Sequence, residues 1–284
     1  MLAQAYEGGG STDQAIRFIE ETIAKRGLDA EMGETYVNVL ELAQRRDEAL
    51  IVAERLLEAS TTPPPIRRRL LLHRGRMLEK LGRFDESMDS YDAGHAIFPV
   101  TFDPDAWDRR LDAIIDETPP MSSPDPMSDA AATEVPVFIA SLPRSGTSLV
   151  ERIIGVHSAA YGAGETGMVG EVLRGARDRI GNDVFQGVRD ATPEVIETLR
   201  RQYLEQQKNL FGHSPRIVNK HLQNWQFLPI IAAWFPKAAV IRIDRAAADV
   251  GISIYGQNLS HDRMPWATRL DWIGRMIRSH QRFS

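Results

Sequence analysis

The 284-residue chain predicts a two-domain protein: an amino-terminal domain of α-helices alone, followed by a three-layer α/β domain around a parallel sheet. Three observations carry this expectation. Small and large apolar residues return at a period of 34 over the first hundred residues, the mark of stacked helix pairs. Beyond residue 135, short apolar strands alternate with amphipathic helical patterns. Between them, Asp116 to Glu134 holds Pro119, Pro120, Pro124 and Pro126 among serines, alanines and acids, the composition of a flexible linker. A hydrophobic share of 43% is enough for two cores at this length.

In the first domain, Ala15 and Ala49 stand 34 apart, as do Tyr6 and Leu40. A third unit fits with a shift of 38, the extra residues lying in the Ser60 to Pro65 run; Gly75, Leu78, Ser87, Tyr91 and Pro99 then take its small, large, small, aromatic and closing proline positions. This pattern resembles tetratricopeptide repeats, whose units bury their faces only against neighbours. A generic helical bundle meets the same pattern, and both readings are all-α. Helix 105–115, with Trp107, Leu111, Ile114 and Ile115 on one face, is expected to cap the array, giving a repeat domain over 1–115 and a linker over 116–134.

The second domain, over 135–284, opens with VFIASLPRSGTSLVERII at 137–154. Val137 to Ala140 read as a buried strand, Leu142-Pro143 as a turn signal, and Leu149, Ile153 and Ile154 as the apolar face of a helix. The turn between them suits an anion, because Gly146 lets the backbone come close, the first helical amides are free, and the helix dipole adds partial positive charge. Arg144, Ser145, Thr147 and Ser148 add side-chain donors. An ordinary strand–turn–helix corner with a surface arginine shares this pattern. Gly146 is followed directly by Thr147 and Ser148, with no lysine, so the turn is not a Walker A loop and a nucleoside triphosphatase is not expected.

Further along, Arg216 to Asn219 and Ala238 to Ile243 read as two more strands, closed by Lys220 and followed by Arg245 respectively. The run Pro143-Arg-Ser-Gly-Thr-Ser148 resembles the 5′-phosphosulfate loop of PAPS-dependent sulfotransferases, in the branch that includes tyrosylprotein sulfotransferases and bacterial enzymes carrying tetratricopeptide repeats. The resemblance extends to Gly164-Glu165-Thr166, whose glutamate follows the loop arginine by 21 residues, to Lys220 in V-N-K-H, and to Arg245 with Ser253 eight residues on. It implies a phosphate-loop-like fold, with Arg144 to Ser148 holding the 5′-phosphosulfate and Arg245 with Ser253 holding the 3′-phosphate. By the same resemblance Glu165 is the general base, and Lys220 contacts the bridging oxygen between sulfate and phosphate. The implied reaction is transfer of a sulfuryl group from PAPS (3′-phosphoadenosine 5′-phosphosulfate) to a hydroxyl of a peptide, glycan or small molecule. The chain departs from the family at Asp244-Arg245-Ala246-Ala247, where an Asp and a Pro are usual after the arginine. Family members also continue beyond the helical pattern at 266–275, so the domain is expected to be truncated at its carboxyl end.

Charge agrees with that division of labour. Residues 1–134 hold 15 Lys and Arg against 26 Asp and Glu, whereas residues 135–284 hold 19 against 13, so the basic half carries the anion motifs. With no cysteine, a disulfide, a thiolate metal site and a cysteine nucleophile are excluded, and the seven histidines show no H-E-x-x-H spacing, so no metal is implied. Most are expected to be surface or half-buried, with His157 and His221 beside the site. No apolar run reaches membrane-spanning length and the first residues lack a signal peptide's character, so a cytoplasmic protein is expected. The expected partners are the nucleotide donor, a hydroxyl acceptor and a protein or peptide on the repeats, with no nucleic acid. The competing reading is a repeat scaffold with a degenerate nucleotide domain, and a third is a phosphotransferase with a diverged loop.

Overall fold

The computed structural model describes residues 12–117 and 135–283; the linker expected over 116–134 lies, from residue 118 on, outside them, as does Tyr6. By its contacts the chain forms two compact units, one of Met1–Phe102 with Ile252–Ile273, the other of Asp103–Gly251 with Gly274–Ser284.

The first unit is helical: α1 (Thr12–Arg26), α2 (Ala30–Leu42), α3 (Arg46–Glu58), α4 (Pro64–Lys80) and α5 (Phe84–Ala96). Local signals set their ends. Asp29 caps α2, its side chain accepting from the Met32 amide at 2.8 Å, and Pro64 opens α4, where a missing N–H costs nothing. The core is a run of Ala15, Ile16, Ile19, Val37, Leu40, Ala49, Ala53, Leu56, Leu70 and Leu78, all buried. Gly75 is held small by its neighbour: a Cβ there would come within 2.3 Å of the Tyr91 ring, and Ser87 Oγ donates to the Gly75 carbonyl at 2.8 Å. Residues 252–273 belong to this unit too, with Arg76 Nη1 donating to the Gly256 carbonyl at 2.9 Å and the Tyr255 hydroxyl to Asp92 at 2.5 Å.

The helix expected to cap the array is counted with the other unit. Here α6 (Pro104–Glu117) belongs to the second unit: Ile114 joins the core around Phe138, and the Trp107 ring lies 6.2 Å from Trp225. Its apolar stripe was legible; which core it faced was not.

In the second unit, β1 (Val137–Ile139), α7 (Thr147–Gly155), β2 (Ala160–Gly162), α8 (Met168–Gly175), α9 (Arg177–Ile180), α10 (Val184–Asp190), α11 (Pro193–Phe211), β3 (Arg216–Asn219), α12 (Leu228–Trp234) and β4 (Ala239–Ile241) follow in order. The helices α13 (Ala247–Tyr255) and α14 (Leu270–Phe283) complete the chain. The four strands are parallel in the order β2-β3-β1-β4, with Val137 opposite both Val218 and Ala239. One layer of the core packs Phe138, Tyr203, Trp234 and Phe235 with Val169, Val172 and Leu173 of α8. On the other face α7 lays Val150 and Ile154 against Val137, Ile139 and Val218. That corrects the apolar face expected for α7, because Leu149 and Ile153 are each 64% exposed. Strand β2 and helices α8 to α11 have no counterpart in the sequence reading: β2 is three residues long and largely exposed, so it lacks an alternating pattern.

Candidate active site

The topology builds a crevice at the carboxyl ends of β1 and β3. The connection leaving β1 reaches β2 beyond β3, while that leaving β3 reaches β4 beyond β1, so the chain departs from these neighbouring strands in opposite directions. Open parallel sheets bind ligands at such a point. The exit of β1 is tied down first: the Ala140 amide donates to the Ile241 carbonyl at 3.0 Å, and the Ile243 amide to Ser141 Oγ at 2.7 Å.

The turn that follows is tightly bent. Arg144 has φ 67° and Gly146 φ 103°, both left-handed, a conformation rare for a side chain as large as arginine. Gly146 is the N-cap of α7, its carbonyl accepting from Leu149 and Val150, and open space surrounds the place of a Cβ there. Among the described residues the amides of Gly146, Thr147 and Ser148 meet no acceptor, so the first turn offers unused N–H groups at the positive end of the helix dipole. Ser145 and Thr147 are buried; Arg144 and Ser148 are exposed. All five residues expected to hold an anion are therefore in one turn between a parallel strand and a helix start.

Glu165 and Lys220 are brought into contact from loops 55 residues apart. Lys220 Nζ donates to Glu165 Oε1 at 2.8 Å; the lysine side chain is 9% exposed and the glutamate 49%. The backbone fixes the pair, because the Lys220 amide donates to the Gly164 carbonyl at 3.1 Å. Two supports went unread in the sequence. Glu151, one turn into α7, accepts the Gly164 amide at 2.6 Å and so ties the helix behind the anion turn to the loop of Glu165. Asn219, fully buried, donates to the Tyr203 hydroxyl at 3.2 Å and accepts from the His221 amide at 3.0 Å and from Asn224 Nδ2 at 3.1 Å. Asn224 also donates to the Ile139 carbonyl at 3.2 Å, joining the ends of β1 and β3. Only one signal for these existed, a polar residue closing an otherwise apolar strand at Asn219. Burial drives the Tyr203 phenol far above its ordinary range, so it stays protonated within this network.

Arg245 reaches the turn from the other side, Nη1 donating to the Arg144 carbonyl at 3.3 Å, and it forms an exposed ion pair with Asp249 at 3.6 Å. Ser253 falls one turn beyond Asp249 on the same helix face, half-buried, among the residues counted with the first unit. The site thus comes from the second unit without it. His157 is exposed and His221 half-buried, its Nε2 3.6 Å from where a Cβ of Gly167 would stand. His95 and His280 depart from the surface expectation, being 7% and 4% exposed.

The sequence profile of the sulfotransferase family matches residues 136–283, the stretch that holds the Lys220–Glu165 pair and the unused amides at the start of α7. The chain belongs to the sulfotransferase family. An uncharacterized protein of Aquifex aeolicus (strain VF5) is 33% identical to it over 154 residues, a match spanning 51% of this chain and 20% of that relative. No solved structure matches the chain. Among the described residues of this sulfotransferase-family chain, no helix is long and apolar enough to cross a membrane.

Proposed function

We propose that the chain transfers a sulfuryl group from PAPS to a hydroxyl acceptor at the crevice between β1 and β3. The observation that carries this reading is the Lys220–Glu165 contact at 2.8 Å, a cation and a base side by side next to the anion turn. The residues present fit the donor. The unused amides of Gly146 to Ser148, with the hydroxyls of Ser145 and Thr147 and the Arg144 guanidinium, would hold its 5′-phosphosulfate, and Arg245, which reaches the same turn, its 3′-phosphate. When bound, the donor supplies an activated sulfuryl group on a phosphate leaving group.

Glu165, half exposed, accepts the acceptor hydroxyl's proton at a carboxylate oxygen as that oxygen attacks sulfur. Lys220 has three N–H donors and spends one on Glu165, so two remain for the bridging oxygen, which gains negative charge as its bond to sulfur breaks. Glu151 and the Asn219–Asn224 network position these groups without touching the reacting atoms. The helical unit, in this reading, is a tetratricopeptide array that binds a peptide or protein. Calorimetry with 3′-phosphoadenosine 5′-phosphate against ATP tests the proposal: selective binding of the former is expected, while equal or absent binding of the two overturns it.

A further inference from the structure

The helix α4 carries a row of arginines, and the structure treats one of them differently. Arg67 donates to the Ala59 carbonyl at 3.0 Å, Arg69 is paired with Glu34, Arg74 with Glu54 and Glu86, and Arg76 with Glu41. Arg68 points into the first unit, 9% exposed, and no carboxylate among the described residues acts on it. Its Nη1 donates to Asn258 Oδ1 at 2.5 Å, but Nε and Nη2 are buried with no acceptor among the described residues. A guanidinium does not shed its proton in the ordinary pH range, and a buried ion without a partner is strongly disfavoured. The fold has placed a cation where only its planar fork is left to be satisfied.

Two imidazoles lie close enough to feel the Arg68 charge. His95, 7% exposed, donates through Nε2 to the Tyr255 carbonyl at 2.8 Å and stacks on the Tyr255 ring at 4.6 Å, leaving Nδ1 buried without a partner. The His261 ring lies 6.4 Å from that of His95, and its Nε2 is likewise buried and unpartnered among the described residues. Burial first, and the Arg68 charge after it, hold both histidines below their ordinary range, which places all three groups in one electrostatic neighbourhood. The acids that face this cluster are Asp92, engaged by the Tyr255 hydroxyl, and Asp262 beside His261; neither acts on Arg68.

We propose that Arg68, with His261 and His95, forms a second oxyanion site in the helical unit that takes a sulfate or phosphate group, free or as a monoester. Arg68 Nε and Nη2 form a parallel pair of donors matched to two oxygens of a tetrahedral anion, and Asn258 holds the guanidinium in that orientation. His261 Nε2 adds a third contact, and His95 Nδ1, opposite an Nε2 that already donates, accepts from a protonated oxygen. The site is separate from the turn at Arg144 to Ser148, and its existence does not depend on the transfer reaction.

Diffraction from the full chain soaked in selenate, a tetrahedral oxyanion with an anomalous signal, tests the site directly. A selenium peak within hydrogen-bond distance of both Arg68 Nε and Nη2 is expected; a water molecule or a rotated carboxylate side chain in that place overturns the proposal. In solution, inorganic phosphate and glycerol phosphate titrated calorimetrically into the full chain and into Arg68→Met distinguish the free ion from the ester, the turn at Arg144 remaining in both proteins. The parent should bind one equivalent more than the variant, or at least one of the two probes tenfold tighter. Identical isotherms for parent and variant with both probes overturn the assignment. Arg68→Met should melt no lower than the parent in anion-free buffer, since it removes an unpaired buried ion, and a drop in melting temperature there would assign Arg68 to the fold instead.

Discussion

In the proposed reaction Glu165 and Arg245 play separable parts, because one would face the acceptor and the other the donor. Glu165→Gln keeps the shape of the pair with Lys220 but removes the base, so turnover should fall roughly a hundredfold or more with nucleotide binding nearly intact. Rapid-quench assay of sulfate transfer beside calorimetry checks both halves; unchanged turnover would remove Glu165 from the reaction. Arg245→Ala should act the other way, weakening nucleotide binding by about tenfold or more through loss of a charge-assisted contact. Its present partners, the Arg144 carbonyl and exposed Asp249, leave little stability to lose, so the melting temperature should hold. Both residues were singled out from the sequence by motif spacing, which needs no knowledge of packing. Glu151 was not, because its partner is the Gly164 amide, and an acid on a helix has no signature for a bond to a distant loop.

At the scale of elements, the helix α7 does two jobs through opposite ends of the same turns. Its start presents unused amides to the crevice, and Glu151 holds the loop of Glu165 in register. Glu151→Ala should therefore lower turnover while costing about 1 kcal/mol of stability, the usual scale of one lost hydrogen bond; equal kcat in parent and variant would mean the loop is held by other contacts. The helix pair α4 and α5 depends on a close approach instead. A side chain at Gly75 would drive into the Tyr91 ring, so Gly75→Val should destabilise the helical unit by about 1–3 kcal/mol, seen as an earlier denaturant midpoint. A midpoint unmoved by that change would show that the ring can swing away. Apolar periodicity predicted both helices of this pair, yet it misassigned the buried face of α7, where Val150 and Ile154 meet the sheet and Leu149 and Ile153 do not. Four apolar positions in two adjacent pairs, 149–150 and 153–154, satisfy more than one rotation of a short helix, and only the sheet decides among them.

Across the whole molecule, stability should depend on pH through histidines that burial keeps neutral, among them His95 in the first unit and His280 in the second. Burial holds His95 and His280 below the ordinary histidine value of 6.5, so the folded chain binds fewer protons than the unfolded chain at mildly acidic pH. Their contribution is complete above about pH 6.5 and is lost as pH falls from there toward the lower folded values. Denaturant midpoints at pH 7.5 and 5.5 should differ, and the difference should shrink in a His95→Gln, His280→Gln variant; the same slope in both proteins would assign the pH dependence to carboxylates. Sequence composition could not have identified this pair, since seven histidines look alike until burial separates them.

The sequence by itself determined what is local or spaced by motif: the helix pairs of the first unit, the strand, turn and helix around Arg144 to Ser148, and the order of Glu165, Lys220 and Arg245 along the chain. These survive reading in one dimension because hydrophobic period, turn chemistry and anion recognition each need particular residues at short range. The tertiary structure alone decided that α6 joins the second unit, that residues 252–273 join the first, that β2 is the edge strand, and that Glu165 meets Lys220 across 55 residues. It also left Arg68 buried with two N–H groups unsatisfied, while Arg69 and Arg76 on the same helix found carboxylates. The physical reason is common to all of these: they are set by which apolar faces remove each other from water and by which buried polar groups find partners, and both are properties of the packed chain rather than of any segment.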